Sequence, residues 1–499
     1  IAQMKDILNS VNPSDTQVSI VSDGELVEFW VERKNMTRLV GNIYKGRVQN
    51  VLNGMQAAFV NIGLERNAFL FAGDTLEYGE ILKDVTDKRL NLKAGDNILC
   101  QVTKEQFGSK GARITMNVTL PGRSVVLMPQ IDYVGVSRKI TDEAVKKDLI
   151  DFVNGIKPEG YGIILRTQSV DCSKEEIQEE IQELVAKWQK IKDANMTKPA
   201  GSLIYKEEGV AIRAVRDMLR DDVDHIIIND RKLLEEFKVA FSALNDKKPD
   251  LFVLYEEKES MHKKFGLVKQ IEGLLQRKVV LANGAYLIID HTEALTVIDV
   301  NTGKYVGEKN LEQTVFETNC IAAKEIARQL RVRNIGGIVV IDFIDMDNPE
   351  HNQKVLDVLQ EALALDRTKT SLIGMTPLGL VELTRKKTRS MLESVMLQTC
   401  PYCEGNGYVL SDEVMAGMLK NKLNDVFACE DNRAVLVTLA PSVFNKIFAY
   451  RLLEKECAGE WRDKRIYLTP DDRMHIEKID IKVLHGAILD LPDKAKMLY

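Results

Sequence analysis

The stretch from Leu295 to Met346 constrains this chain more than any other. It holds two short β-branched apolar runs, Leu295 to Val300 and Gly337 to Phe343, each broken by an aspartate. Unalternated runs of this length predict buried strands covered on both faces. Between them Leu311, Val315, Ala322, Ile326 and Leu330 recur at helical spacing. The pattern is a strand–helix–strand crossover, with its two strands parallel and near each other in one sheet. Asp299 and Asp342 then fall near the same strand ends, where open α/β sheets bind ligands. Two carboxylates across a short gap repel, and a divalent cation relieves the repulsion. Few, hard oxygen ligands suit Mg²⁺, which keeps several waters and completes its shell with phosphate. Such an ion polarises a phosphoryl oxygen and supplies hydroxide near neutral pH. Asn301 and Asp345 are placed to orient the pair, and Asp347 to solvate the following turn. Taken alone, each aspartate reads equally as a loop or helix cap.

Composition sets the bounds. A chain of 499 residues, 45% hydrophobic and 28% charged, is of the soluble globular class with room for three or four domains. No apolar run approaches the roughly 18 residues of a membrane span, and no secretory signal is recognisable. Seven scattered cysteines point to a reducing cytoplasm rather than a disulfide framework. A net charge of −6 argues against indiscriminate coating of nucleic acid, so any nucleic-acid contact needs local basic patches. Arg331 with Arg333, Arg367 with Lys369, and Arg385-Lys386-Lys387 with Arg389 are candidates. Singly, each also reads as a solvated face.

Ahead of this stretch, Gln17–Ser22 and Glu25–Glu32 form a strand pair too small to stand alone. Five strand-like runs follow, at Asn42–Leu52, Gln56–Ile62, Asn67–Ala72, Asn97–Lys104 and Ala112–Leu120. Five short strands in some eighty residues predict a closed barrel of the OB type. Phe59 and Phe69 sit on neighbouring strands, either as barrel core or as a platform for splayed bases. Lys104 and Lys110 can meet phosphates at the rim. Gly162-Ile-Ile-Leu165 ends in Arg166-Thr167, a guanidinium fork beside a hydroxyl. That pair suits a terminal phosphate or a structural strand end. The helix after it, from Ser173 to about Ile191, buries Ile177, Ile181, Leu184, Val185 and Trp188 on one face. Residues 203–272 alternate strands and helices at Val210–Val215, His225–Ile228, Lys232–Leu244 and Leu251–Tyr255, completing the N-terminal sheet. Gly284–Asp290 supplies a strand partner to the first aspartate strand, with Asp290 in its turn.

Cys400-Pro-Tyr-Cys403 offers two thiolates from one knuckle, and Glu-Gly-Asn-Gly after it is turn chemistry. A structural zinc wants four ligands, and a twofold dimer supplies the missing pair from a second copy. A redox pair, or a one-chain site completed by Cys429, Cys457 or a histidine, are the alternatives. The last ninety residues predict a strand at Ala434–Leu439 and a helix at Val443–Lys455.

Val297-Ile-Asp-Val-Asn301 and Ile341-Asp-Phe-Ile-Asp-Met346 resemble the catalytic segments of the ribonuclease E/G family. Gly41-Asn-Ile-Tyr-Lys-Gly-Arg-Val48 and Gly54-Met-Gln-Ala-Ala-Phe-Val60 resemble its RNA-binding barrel. The likeness covers nearly the whole chain and is weakest after Ser411. It is greatest to the short members that lack a long disordered C-terminal arm. It implies Mg²⁺-dependent cleavage of single-stranded RNA, leaving 5′-phosphate and 3′-hydroxyl ends, in rRNA 5′-end maturation and mRNA decay. Asp299 and Asp342 would hold the ion and Asn301 position the first. Phe59, Phe69 and Lys110 would face RNA. Arg166 and Thr167, lined by Val126 and Arg138, would form a 5′-sensor pocket. A pocket sized for one phosphate favours 5′-monophosphorylated over 5′-triphosphorylated RNA. Arg367 matches the family, whereas Lys369 stands where arginine is frequent, a point charge in place of a fork.

The implied architecture is α/β and β multidomain. Residues 1–38 and 203–272 form a ribonuclease H-like subdomain, 39–120 an OB-fold RNA-binding domain and 121–202 a 5′-sensor domain. A deoxyribonuclease I-like catalytic domain occupies 273–398, a zinc-link 399–409 and a small α/β domain 410–499. A shared Zn²⁺ would join a homodimer, with tetramers built from dimers. The competing functional class is a non-catalytic RNA-binding scaffold of the same fold.

Overall fold

The computed structural model describes residues 5–35, 38–75, 91–106, 110–219, 222–303, 311–485 and 491–499. The chain divides into two compact units, Ile1–Met396 and Leu397–Tyr499.

In the first unit the N-terminus builds a five-stranded sheet ordered Phe252–Leu254, His225–Ile228, Lys5–Val11, Asp15–Ser22, Glu25–Arg33. The first three run parallel and the last two turn back antiparallel. The late strands thus complete the N-terminal sheet as expected. Lys5–Val11, which the sequence reading passed over, is its central strand. Val210–Met218 is a helix, packed on this sheet through Val210, Ala214 and Val215.

The barrel closes on five strands, Ile43–Leu52, Ala57–Asn61, Ala68–Phe71, Asn97–Lys104 and Arg113–Thr115, the first pairing with the fourth. Its interior holds Val48, Val60, Leu70, Cys100 and Ile114, which alternate with outward residues. The fifth predicted run is divided. Arg113–Thr115 closes the barrel, while Leu120–Pro121 joins a separate sheet with Val125–Met128, Gly162–Leu165 and Val134–Val136. Against that sheet packs the helix Lys174–Thr197, started by a capping box between Ser173 and Glu176. It buries Ile177, Ile181, Leu184 and Trp188, with Val185 only half-buried.

The six-stranded sheet that carries the aspartates is ordered Lys278–Val280, Tyr286–His291, Leu295–Asn301, Gly337–Asp342, Leu380–Arg385, Thr370–Met375. Leu295–Asn301 and Gly337–Asp342 are parallel neighbours joined through the helix Leu311–Val332. That helix buries Val315, Ala322, Ile326 and Leu330; the side chain of Leu311 lies outside the described residues. Among the described residues the helices cover one face only. Thr296, Ile298, Val300, Val339 and Ile341 are buried, while Asp299, Ile338 and Asp342 are exposed. Covering on both faces is therefore corrected: the β-branched runs alternate between a packed face and an open one.

In the second unit Ile479–Val483, Ala434–Leu439, Arg465–Pro470 and Lys496–Met497 form a sheet under the helices Asp412–Phe427 and Pro441–Ala449. The helix predicted to run to Lys455 stops at Ala449. Arg451 and Leu453 take positive φ there, and a second helix begins at Glu454.

Candidate active site

The parallel register sets Asp299 directly against Asp342 as cross-strand partners. Adjacent strands lie roughly 4.8 Å apart, and both side chains point to the open face. Asn301, two residues along the same strand and so on the same face, donates its amide to Asp299 Oδ2 at 2.8 Å. The Asp342 carboxyl is held above its ordinary range, first by partial burial and then by the facing Asp299 and Asp345 carboxylates. Asp290 is a strand residue rather than a turn residue, and it is ion-paired with Arg277. Behind the site, the buried Asn319 of the long helix clamps the chain just past Asp342. Its amide donates to the Ile344 carbonyl at 2.8 Å and accepts from the Ile344 amide at 3.2 Å. Sequence reading missed this clamp, because a polar residue within an apolar helical stripe gives no sign of its partner.

A cleft of about 1400 Å³ opens elsewhere in the same unit, lined by Arg138, Lys139, Arg166, Thr167, Arg367 and Lys369 among others. Arg166 donates to Asp217 at 2.8 Å and to the Gly122 carbonyl at 2.5 Å, and Thr167 lies 3.3 Å from the Ser137 hydroxyl. Val126 is half-buried, and its cross-strand partners Ile164 and Pro121 line the cleft. Lys139 reaches the carbonyls of Asp366 and Arg367 at 2.9 and 3.1 Å, tying the 366–369 loop to the turn after Val134–Val136. The loop is anchored from below by the buried pair Asp366–Arg385, 2.7 Å apart. Deeper in the cleft Arg389 lies over the Trp30 ring at 3.8 Å, its guanidinium pushed down to about 10 by burial against the pull of Glu28. The cleft as a whole far exceeds one phosphate, so any size exclusion rests on its Arg166–Thr167 end.

On the barrel, Phe59, Phe69, Arg113 and Lys104 are successive cross-strand partners and form one outward row. Phe59 and Phe69 meet edge to face at 5.7 Å and are half-buried, so they lie outside the barrel core. Lys104 and Lys110 are exposed. Gly111 lies so close to Asn67 that an added Cβ would sit 1.9 Å from the Asn67 carbonyl oxygen, which fixes the Lys110 segment beside the start of the Phe69 strand.

The profile described as "Ribonuclease E/G family" matches residues 119–388, more than half of the chain. The chain belongs to the ribonuclease E/G family. It is 39% identical over 445 residues to ribonuclease G of Haemophilus influenzae, covering 88% of this chain and 91% of that protein. Ribonuclease G of Escherichia coli K12 is 38% identical with the same coverage. Ribonuclease E of Haemophilus influenzae is 33% identical over 94% of this chain but 51% of its own length.

Membership in the ribonuclease E/G family gives the three constellations a common frame. Arg367 and Lys369, grouped by sequence with general RNA contacts, share the cleft with Arg138, Arg166 and Thr167. Two of the basic candidates are structural. Arg333 is buried and donates to Gly273 and Gln276 carbonyls, and Arg385 is committed to Asp366. In the second unit Cys403 Sγ accepts from the Gly407 amide at 3.4 Å. The Cys400 thiol is held below its usual range by hydrogen bonds from the backbone of Cys403 and Tyr402 and from the Cys403 side chain. Glu404, Gly405 and Gly407 take positive φ, the turn chemistry expected of a knuckle. Among the described residues no cluster of three or more His, Cys, Asp or Glu side chains is arranged to hold a metal, and no helix is long and apolar enough to cross a membrane.

Proposed function

We propose that this chain is a Mg²⁺-dependent endoribonuclease that cuts single-stranded RNA to 5′-phosphate and 3′-hydroxyl ends. The observation that carries the reading is the register of Asp299 on Asp342, with Asn301 bonded to Asp299 on the open sheet face. The donor set fits a hard cation: two carboxylates side by side, with solvent room for water and phosphate ligands. When bound, the ion polarises the phosphodiester and activates water. The protein's own part is positional. Asn301 fixes which oxygen of Asp299 is presented, and the Asn319 clamp fixes the exit of the Asp342 strand.

Phe59, Phe69, Lys104 and Lys110 hold the RNA strand on the barrel face, by stacking and by charge. Arg138, Arg166, Thr167, Arg367 and Lys369 receive its 5′-phosphate. Cys400 and Cys403 supply half of a tetrahedral Zn²⁺ site that a second chain completes, giving a homodimer able to pair into tetramers. The five-stranded mixed sheet corresponds to the ribonuclease H-like subdomain and the aspartate sheet to the deoxyribonuclease I-like domain. Cleavage of a short internally labelled RNA with Mg²⁺ or with EDTA tests the reading. Cleavage with Mg²⁺ alone, yielding 5′-phosphate ends, supports it. Tight binding without cleavage in Mg²⁺ replaces it with the scaffold reading.

A further inference from the structure

Beyond Phe59 and Phe69, the barrel carries an outward aromatic that its core does not require. Phe71 lies two residues past Phe69 on the same strand, hence on the same face, while the Leu70 between them points inward and is fully buried. Its ring centroid is 4.6 Å from that of Phe69, with the planes at 80°. The Arg113 guanidinium lies over the Phe71 ring at 4.8 Å. Asp74 holds that guanidinium in place: Nε and one terminal nitrogen both donate to Asp74 Oδ2, at 3.0 and 2.8 Å. Asp74 is itself fixed, because its carbonyl accepts from the Met116 amide at 2.7 Å and the Thr115 hydroxyl at 3.1 Å. Phe71 nevertheless remains 39% exposed.

We propose that Phe71, braced by Arg113 and Asp74, is a third base-stacking site, so that the barrel face grips one nucleotide more than Phe59 and Phe69 alone. The proposal rests on the reading of this face as an RNA surface. Three features favour a nucleobase as occupant. The patch continues the Phe59–Phe69 row without a break. It is edged by the exposed cation Lys104, which faces Arg113 across the strands. Arg113 already has its carboxylate partner, so it serves as a planar stacking surface rather than a free phosphate ligand. Rings set at 70° and 80° to one another cannot support a continuous base stack. The face therefore accepts bases splayed one by one, as in an unpaired strand, and rejects a duplex. The bracing orders Phe71 before RNA arrives, which lowers the entropy cost of binding.

Fluorescence anisotropy with an unstructured RNA decamer, on the full chain carrying Asp342→Asn to prevent cleavage, tests this. Phe71→Ala is expected to weaken binding roughly fivefold to a hundredfold, the range for one lost base–aromatic stack. Phe71→Leu keeps apolar bulk without a π face, and it should weaken binding as much while leaving the melting temperature unchanged. A single abasic residue moved along the decamer should cost affinity at one further position in the parent than in Phe71→Leu. If Phe71→Leu binds like the parent while Phe59→Leu and Phe69→Leu bind more weakly, the third site is overturned and the barrel reading stands. If none of the three weakens binding, the barrel reading itself fails.

Discussion

Two residues, one behind the aspartate pair and one within it, show how the site is held. Asn319 satisfies both backbone groups of Ile344 from inside the core. Asn319→Ala leaves the half-buried backbone donor and acceptor of Ile344 unpaired, at a cost towards the lower end of the roughly 1–3 kcal/mol that fully buried groups incur. It should lower the melting temperature by several degrees and depress kcat more than it raises KM, because the loop after Asp342 loses its anchor. Thermal melts with steady-state kinetics check this, and an unchanged kcat would mean that the clamp serves stability alone. Asp342 presents the opposite case. Its carboxyl is raised in the folded state, first by partial burial and then by Asp299 and Asp345. Such a group destabilises the fold when ionised. The cost is fully present above the folded pKa and vanishes as pH falls below the unfolded one. Metal-free Asp342→Asn should therefore melt higher than the parent near pH 7, and the gain should shrink on acidification. Equal melting temperatures at pH 7 would show that the facing carboxylates do not strain the fold.

At the scale of elements, the strand–helix–strand around the aspartates was legible because period, length and chain order all pointed one way. The register that pairs Asp299 with Asp342 was not, since two parallel strands can slide by two residues and keep the same faces. Covering of the sheet is hidden for a related reason. Val297, Val340 and Ile338 are apolar but lie on the open face, so a β-branched run does not reveal that one side lacks helices. Phe59 and Phe69 could be placed on neighbouring strands but not inside or outside the barrel. Arg113 was invisible as their neighbour, because the strand that carries it reaches them only through barrel closure. The Cys400–Cys403 turn was legible as a knuckle, and its Gly407–Cys403 hydrogen bond and lowered Cys400 thiol suit a thiolate ligand. Native mass spectrometry should find one zinc per two chains, and Cys400→Ser with Cys403→Ser should release the metal and weaken the dimer. One zinc per chain, or a metal-free dimer indifferent to both substitutions, contradicts the shared site.

At the scale of the whole molecule, the proposed function makes separate surfaces of the first unit one path for RNA: the barrel face for bases, the basic cleft for the 5′ end, and the aspartate pair on the open sheet for cleavage. The cleft and the aspartates belong to one structural unit, and the Asp366–Arg385 pair roots the cleft loop in the strand beside Gly337–Asp342. A monophosphorylated 5′ end should therefore speed cleavage relative to a triphosphorylated one, with Arg166→Ala narrowing the difference; equal rates in the unmutated protein argue against sensing in this cleft. The central claim is that the Asp299–Asp342 register is the chemical centre and is separable from RNA binding. The most direct measurement is single-turnover cleavage alongside RNA affinity for Asp299→Asn and Asp342→Asn at saturating Mg²⁺. Loss of an electrostatic centre of this kind costs several kcal/mol of barrier. Cleavage should fall by at least about a thousandfold, the scale of that loss, with affinity within a few-fold of the parent. Near-normal turnover by either variant would contradict the account.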